Sequence, residues 1–376
     1  MRTISRLRVA IGLLLCIAAS IVLIGRLGTV RTAFADSFFS PFLPLQVSTV
    51  PSNGDTTPYG LAFVPDGFPD SDAISTGKLL VANFNSSSTA GQGTTIITVN
   101  PNTGQTGVFF QGTSPIGFTN ALTIARVGLV FAGSLPTSSG TAEPGPLDVF
   151  DRNGNLLKQL GSPELVDGPW GMALNDRDST AQLFVSNIFD TTGHFAGSIT
   201  RLDVLLSASG ITVLNAITIA SGYTSAPDAT GTVVGPAGLA YDSYNDILYV
   251  AAEGDDAIYK LKGAGHATRD LGKGQVIYDD QTVLHGPLGL IFAPNGDLIT
   301  ANADPTHFLP TTDPSEIVEI TPGGTFVRKF SIDPNAGSAF AVDINNKNRR
   351  FHQFVYIDDF VSNCTVWKLA DQRSVR

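Results

Sequence analysis

The side chains best suited to chemistry in this sequence gather where short apolar runs end. Asn83, Asn187, Glu253, Asp255, Asp256, Asn302, Asp304, Asp358 and Asp359 all follow such runs, with no Lys or Arg among them. Carboxylates and amide oxygens are hard donors, the ligand type that Ca²⁺ and Mg²⁺ prefer. His194 and His307 lie in the two longer loops, and His285 precedes a Gly-Pro step. Histidine titrates near neutral pH, so each could serve as a general base or as a ligand contact. Trp170 and Asp167 flank another Gly-Pro step, where an indole could floor a sugar or an aromatic ligand. Each of these residues also has a structural use. Asn and Asp at strand exits bond to nearby backbone and tolerate left-handed geometry, loop histidines are commonly just solvated, and a tryptophan can simply pack a junction. No nucleophile elbow, zinc helix motif or phosphate loop occurs at a workable spacing.

The elements that would position these residues repeat along the chain. A small or Gly/Pro step leads into a short strand at Pro58-Tyr59-Gly60-Leu61, Gly168-Pro169-Trp170-Gly171, Gly235-Pro236-Ala237-Gly238 and Gly286-Pro287-Leu288-Gly289. A second strand follows each time, as in Leu79 to Asn83, Leu183 to Asn187, Leu248 to Ala252 and Leu298 to Asn302. Two weaker copies start at Asn120 and Ser338, which the spacing puts in the signature-glycine slot. The six second strands end at Asn83, Gly133, Asn187, Ala252, Asn302 and Asp358. Third and fourth strands follow, with turn chemistry such as Asn100-Pro101-Asn102-Thr103-Gly104 between them. The pattern predicts an all-β fold, a six-bladed β-propeller of four-stranded antiparallel blades. The sixth repeat stops after three strands near Leu369, and Leu45 to Val50 is a spare strand. The N-terminal strand is therefore expected to complete the last blade and leave no open edge.

In such a meander, the blade connections and the loops between second and third strands share one face. That face is expected to be acidic, and the opposite face, carrying Lys78, Arg126, Arg152, Arg177 and Lys262, mixed in charge. A mouth of one sign attracts opposite charge, although an acidic protein places acids on any loop.

The repeat style resembles the NHL-repeat propellers and, more loosely, the six-bladed gluconolactonase/SMP-30-like family, over about residues 45–370. The resemblance implies a divalent ion at the channel mouth. Carried over by position, Asn187, Asn302 and Asp358 would be ligands, with Glu253 one place beyond its slot. The acidic ligand that the family takes from its first blade has no match, because the first signature reads Pro58-Tyr59-Gly60. Streptogramin-lyase-like propellers resemble the chain in repeat style and use His with a metal.

The first 35 residues read as a leader outside the propeller, which spans 36–376 as one domain. Arg2, Arg6 and Arg8 precede a 17-residue apolar run from Val9 to Gly25, and Ala33-Phe34-Ala35 is a small-x-small cleavage site. Export to a secreted or periplasmic location is expected, with an uncleaved anchor as the rival reading. The leader carries five of the 23 basic residues and no acid, so its removal takes the net charge from −10 to about −15. That balance argues against nucleic acid and anionic membrane as partners. Cys364 is the one cysteine outside the leader, which rules out an internal disulfide.

Two functions compete at this stage. One is an exported, monomeric binding module for a small molecule, glycan or protein, held at the acidic mouth through Asp167, Trp170 and His194. The other is a divalent-metal-dependent lactonase or lyase with His285 or His307 as base. A structural envelope protein is a third reading.

Overall fold

The computed structural model describes residues 44–161, 164–227, 233–302, 314–334, 337–348 and 351–370. The leader and His307 lie outside them. Six four-stranded antiparallel sheets form a six-bladed propeller. The innermost strands are Thr56–Phe63, Phe118–Ala125, Pro169–Arg177, Pro236–Asp242, Pro287–Phe292 and Ala339–Asn348, which define blades one to six. Each inner strand packs against the next, and the sixth returns to the first, so the ring is closed. One 3₁₀ turn, Glu253–Asp255, is the helical structure among the described residues.

The last blade is completed from the other end of the chain, as expected. Leu45–Ser48 pairs antiparallel with Asn363–Ala370, setting Leu45 opposite Val366 and Val47 opposite Cys364. Thr49 extends the junction, its N–H and hydroxyl both donating to the Ser362 carbonyl, at 2.9 and 2.7 Å. Cys364 is buried in this seam, and desolvation pushes its thiol up to about 12. The cysteine is therefore a small apolar core residue with no nucleophilic character near neutral pH.

Turn residues shape the blades as their chemistry dictates. In the Asp151–Asn155 turn, the Asp151 carboxylate accepts the Asn153 and Asn155 N–H groups at 2.8 and 2.9 Å, and Gly154 takes a φ of 82°. The core lies between blades. Phe118 and Phe150, fully buried with Ala132 and Val130, fill the space between the first two.

The inner strands come so close at the axis that side chains are excluded there. A Cβ on Gly171 would lie 2.0 Å from the Ala237 carbonyl oxygen, and one on Gly238 would lie 2.1 Å from that of Leu288. This explains the signature glycine better than turn conformation does. The register also corrects two slots. Ala121 and Ala341, each one residue before regular pairing resumes at Leu122 and Val342, occupy the glycine position in blades two and six, in place of Asn120 and Ser338. Correspondingly, Ser134 rather than Gly133 lies opposite the start of the second inner strand. A longer bulge caused the miscount in blade two.

Candidate functional site

Every inner strand carries a β-bulge at the same height. Pairing jumps between Pro58 and Gly60, Pro169 and Gly171, Pro236 and Leu239, Pro287 and Leu290, and Ala339 and Val342. One residue is extra in each case: Tyr59, Trp170, Ala237, Leu288 and Phe340. Blade two has two extra residues, Thr119 and Asn120, between Phe118 and Leu122. A bulge turns its extra side chain out of the regular alternation. Here the extra side chains meet across the ring. Tyr59 stacks on Phe340 at 4.1 Å and on Phe84 at 4.5 Å between ring centroids, and Trp170 meets Tyr59 edge-on at 5.8 Å. Leu288, Ala237, Leu135 and Ile188 complete one apolar cluster. The end of the channel that the loop map marked as an acidic mouth is thus plugged by rings.

The polar residues expected at that mouth are built into the walls around the plug. Trp170 is 1% exposed, and its indole N–H donates to Glu253 Oε2 at 3.1 Å. Its expected part as a ligand floor therefore gives way to packing. Asn187 Oδ1 accepts the Asp167 N–H at 3.1 Å, and its Nδ2 donates to the Leu165 carbonyl at 3.3 Å and to Thr200 at 3.1 Å. Asn302 repeats the scheme, accepting the His285 N–H at 3.0 Å and donating to the Val283 carbonyl at 2.6 Å. These two asparagines brace the chain as it enters the next inner strand. Gly168 and Gly286 then adopt φ of 66° and 56°, and Thr57 holds the same place in blade one at 55°. Asp256 Oδ1 caps the Gly286 N–H at 2.7 Å. His285 is buried beside Asn302, whereas His194 stands in an exposed loop with Nδ1 2.7 Å from the Thr192 hydroxyl. Burial, then the nearby Asp190 charge, raises the Asp167 carboxyl above its usual range. Asp358 is buried at the seam of blades five and six. Desolvation, then the charge and hydrogen bond of Asp333, pushes it up to about 6. The structure thus brings Trp170 to Glu253, Asp167 to Asn187 and His285 to Asn302, as three separate pairs.

The open space lies on the other side of the plug. A cavity of about 550 Å³ runs down the axis toward the end where the inner strands leave it. All six blades line it, and Asn120, a polar member of the bulge set, reaches it from blade two. Asp343 lines it from blade six. The carboxylate accepts the Phe63 N–H of blade one at Oδ2 and its own neighbour Ile344's N–H at Oδ1, both at 2.7 Å. The inner strands are sheet edges, so their outward N–H groups need such partners. Although Asp343 keeps part of its surface open, protein surrounds it closely. Desolvation, opposed by the two N–H bonds, pushes its carboxyl up to about 6. A carboxyl of that strength in a cavity can exchange a proton near neutral pH. The repeat pattern gave no warning of Asp343, because the residue lies beyond the signature in the least regular copy.

Neither the comparison with protein-family models nor that with curated proteins gave a match. Many solved structures match in fold. The chain is similar to a structural-genomics target assigned as a gluconolactonase, with TM-score 0.53, 13% identity, and coverage of 90% of this chain and 96% of that one. It is similar to a gluconolactonase from Xanthomonas campestris, with TM-score 0.51, 13% identity, and coverage of 87% and 89%. The α-L-arabinofuranosidase of Fusarium graminearum also matches, with TM-score 0.53, 12% identity, and coverage of 89% and 99%. These likenesses show the fold, a six-bladed propeller.

The divalent ion that the sequence resemblance implies meets a poor donor set at the four positions assigned to it above. The amide oxygens of Asn187 and Asn302 already take backbone N–H groups, Glu253 takes an indole, and rings occupy the axis between them. Among the described residues no group of three or more His, Cys, Asp or Glu is placed to hold a metal. A hard dication needs six to eight converging oxygens, so the described residues of the plugged end do not fit one.

Proposed function

We propose that this protein is an exported propeller that binds a small molecule in its axial cavity. The observation that carries the reading is that cavity, about 550 Å³ with the partly open carboxylate of Asp343 on its wall. That volume falls in the range of ordinary ligand sites, about 300–1,000 Å³. The plug makes the space a blind cup, entered from the face opposite the one expected. The leader pattern supports delivery outside the cytoplasm. The test is a calorimetric screen of small molecules against the purified protein and against T123F, which places a ring where Thr123 lines the cup. Compounds that bind the natural chain and not T123F support the reading. Compounds whose binding ignores T123F overturn it.

A second reading, lactone hydrolysis, is favoured by the Asp343 carboxyl and by two fold neighbours named as gluconolactonases. Asp343 would take a proton from water as its oxygen bonds to the lactone carbonyl. The ring C–O bond then breaks, and the departing oxygen receives the proton. Turnover of a lactone panel that survives a chelator and is lost in D343N would support this chemistry. Turnover that a chelator abolishes and D343N retains would refute it.

A further inference from the structure

We propose that the occupant of the axial cup is a small organic monocation, an ammonium group on an apolar body, held by Asp343. This rests on the cavity-binding reading above and names its ligand class.

The first argument is charge. The ionisable residues lining the cup are Asp343 and Asp66, both acidic, and none of its lining residues is Lys, Arg or His. Arg126, the nearest arginine in sequence to the blade-two lining, is turned to Asp176 and Asp178, at 3.4 and 3.1 Å. A carboxylate in a confined space of one sign attracts a cation and repels an anion. Sugar acids and phosphorylated compounds are thereby disfavoured.

The second argument separates an organic cation from a metal ion. Each Asp343 oxygen already accepts one N–H, so the group offers a single further lone pair on each side. That suits the donors of an ammonium head, whereas a dication needs several more oxygens around it. The cup is also much larger than an ion. Leu122, Ile124, Met172, Leu239 and Ile291 supply carbon surface to its wall, which rewards an apolar body. Asn120, at the floor beside the plug, offers an amide to a polar group at the far end of the ligand.

The test compares three probes of matched size on the purified protein: benzylamine, benzyl alcohol and benzoate. Benzylamine should bind with a Kd of about 1 mM or tighter. The alcohol should bind at least about tenfold more weakly, the loss expected when a charge-assisted hydrogen bond is removed. Benzoate should not bind. D343N should erase the preference for the amine, with its folding checked by circular dichroism, and T123F should abolish binding of every probe. Equal affinity for amine and alcohol, or amine binding untouched by D343N, would overturn the cation class. In those cases T123F sensitivity would show that the cavity reading itself survives. Failure of every probe to bind overturns the proposal. So does Ca²⁺ alone binding in a D343-dependent manner and displacing benzylamine, which would make the site one for a metal ion.

Discussion

Truncating Trp170 tests whether the plugged end is core or ligand site. The side chain is 1% exposed, touches Tyr59 and Phe84 edge-on, and donates to Glu253. W170A removes the whole ring system from a packed cluster and should cost about 3–5 kcal/mol. W170F keeps most of the apolar contact and deletes the indole N–H. Because the acceptor is a carboxylate only 4% exposed, the bond should be worth about 1.5–3 kcal/mol. A double-mutant cycle of W170F with E253Q isolates that pair. Urea unfolding should be followed by far-UV circular dichroism, because Trp170 is one of only two tryptophans and its loss would distort fluorescence. Coupling below about 0.5 kcal/mol would refute the reasoning. So would a W170F protein of unchanged stability that had lost binding of a small molecule, for then the ring would be a ligand contact after all.

Four further outcomes follow from the geometry. G171A should destabilise the ring by about 3 kcal/mol or more, because its Cβ would enter the Ala237 carbonyl, and a loss under 1 kcal/mol would contradict the close axial approach. The folded state raises the Asp343 carboxyl from 3.8 to about 6, so ionising it weakens the fold progressively as pH rises through that window. D343N should therefore match the natural chain near pH 4 and exceed it by about 1–2 kcal/mol at pH 8, after allowance for one lost N–H acceptor; urea midpoints at the two pH values decide. V47D places a charge opposite buried Cys364 and should release the closing strand, seen as fast amide exchange across Asn363–Ala370. Millimolar Ca²⁺ or Mg²⁺ should leave the melting temperature unchanged, and a rise would show a donor set that the plugged end does not display.

The blades were legible because a repeat is written many times over. Alternating apolar strands, Gly-Pro steps and Asx turns agree with one another, and even the spare strand near Gln46 pointed to its partner. The slip at Asn120 came from bulge length, whereas Ser338 lies one residue before its inner strand begins at Ala339. Blade two inserts two residues where the others insert one, and sequence spacing does not separate a bulge residue from a strand residue. The site was less legible for a related reason. Loop parity correctly grouped Asn187, Asn302, Glu253 and Asp358 near one face, but it ignored what stands between them. The signal was present in the residue before each axial slot, Tyr59, Trp170, Ala237, Leu288 and Phe340, where five apolar side chains occupy the place a polar channel would need. Asp343 had no repeat partner to announce it. Its meaning depends on the Phe63 N–H, which is 280 positions away in the chain.

Pairing the first strand with the last has a consequence for biogenesis. Thr49 and Ser362 are 313 positions apart, so the circle cannot be finished until the chain has been made as far as Asn363–Ala370. Until then Leu45–Ser48 lacks the strand it pairs with, and contacts of such long range form slowly. With Leu45–Ser48 and Asn363–Ala370 paired side by side, joining residues 44 and 370 by a short tether and opening the tight turn between Ser207 and Gly210 should yield a circular permutant with the same blades. Such a protein would emerge with its sixth sheet contiguous, and its refolding rate would measure how much of the natural delay comes from waiting for that final strand.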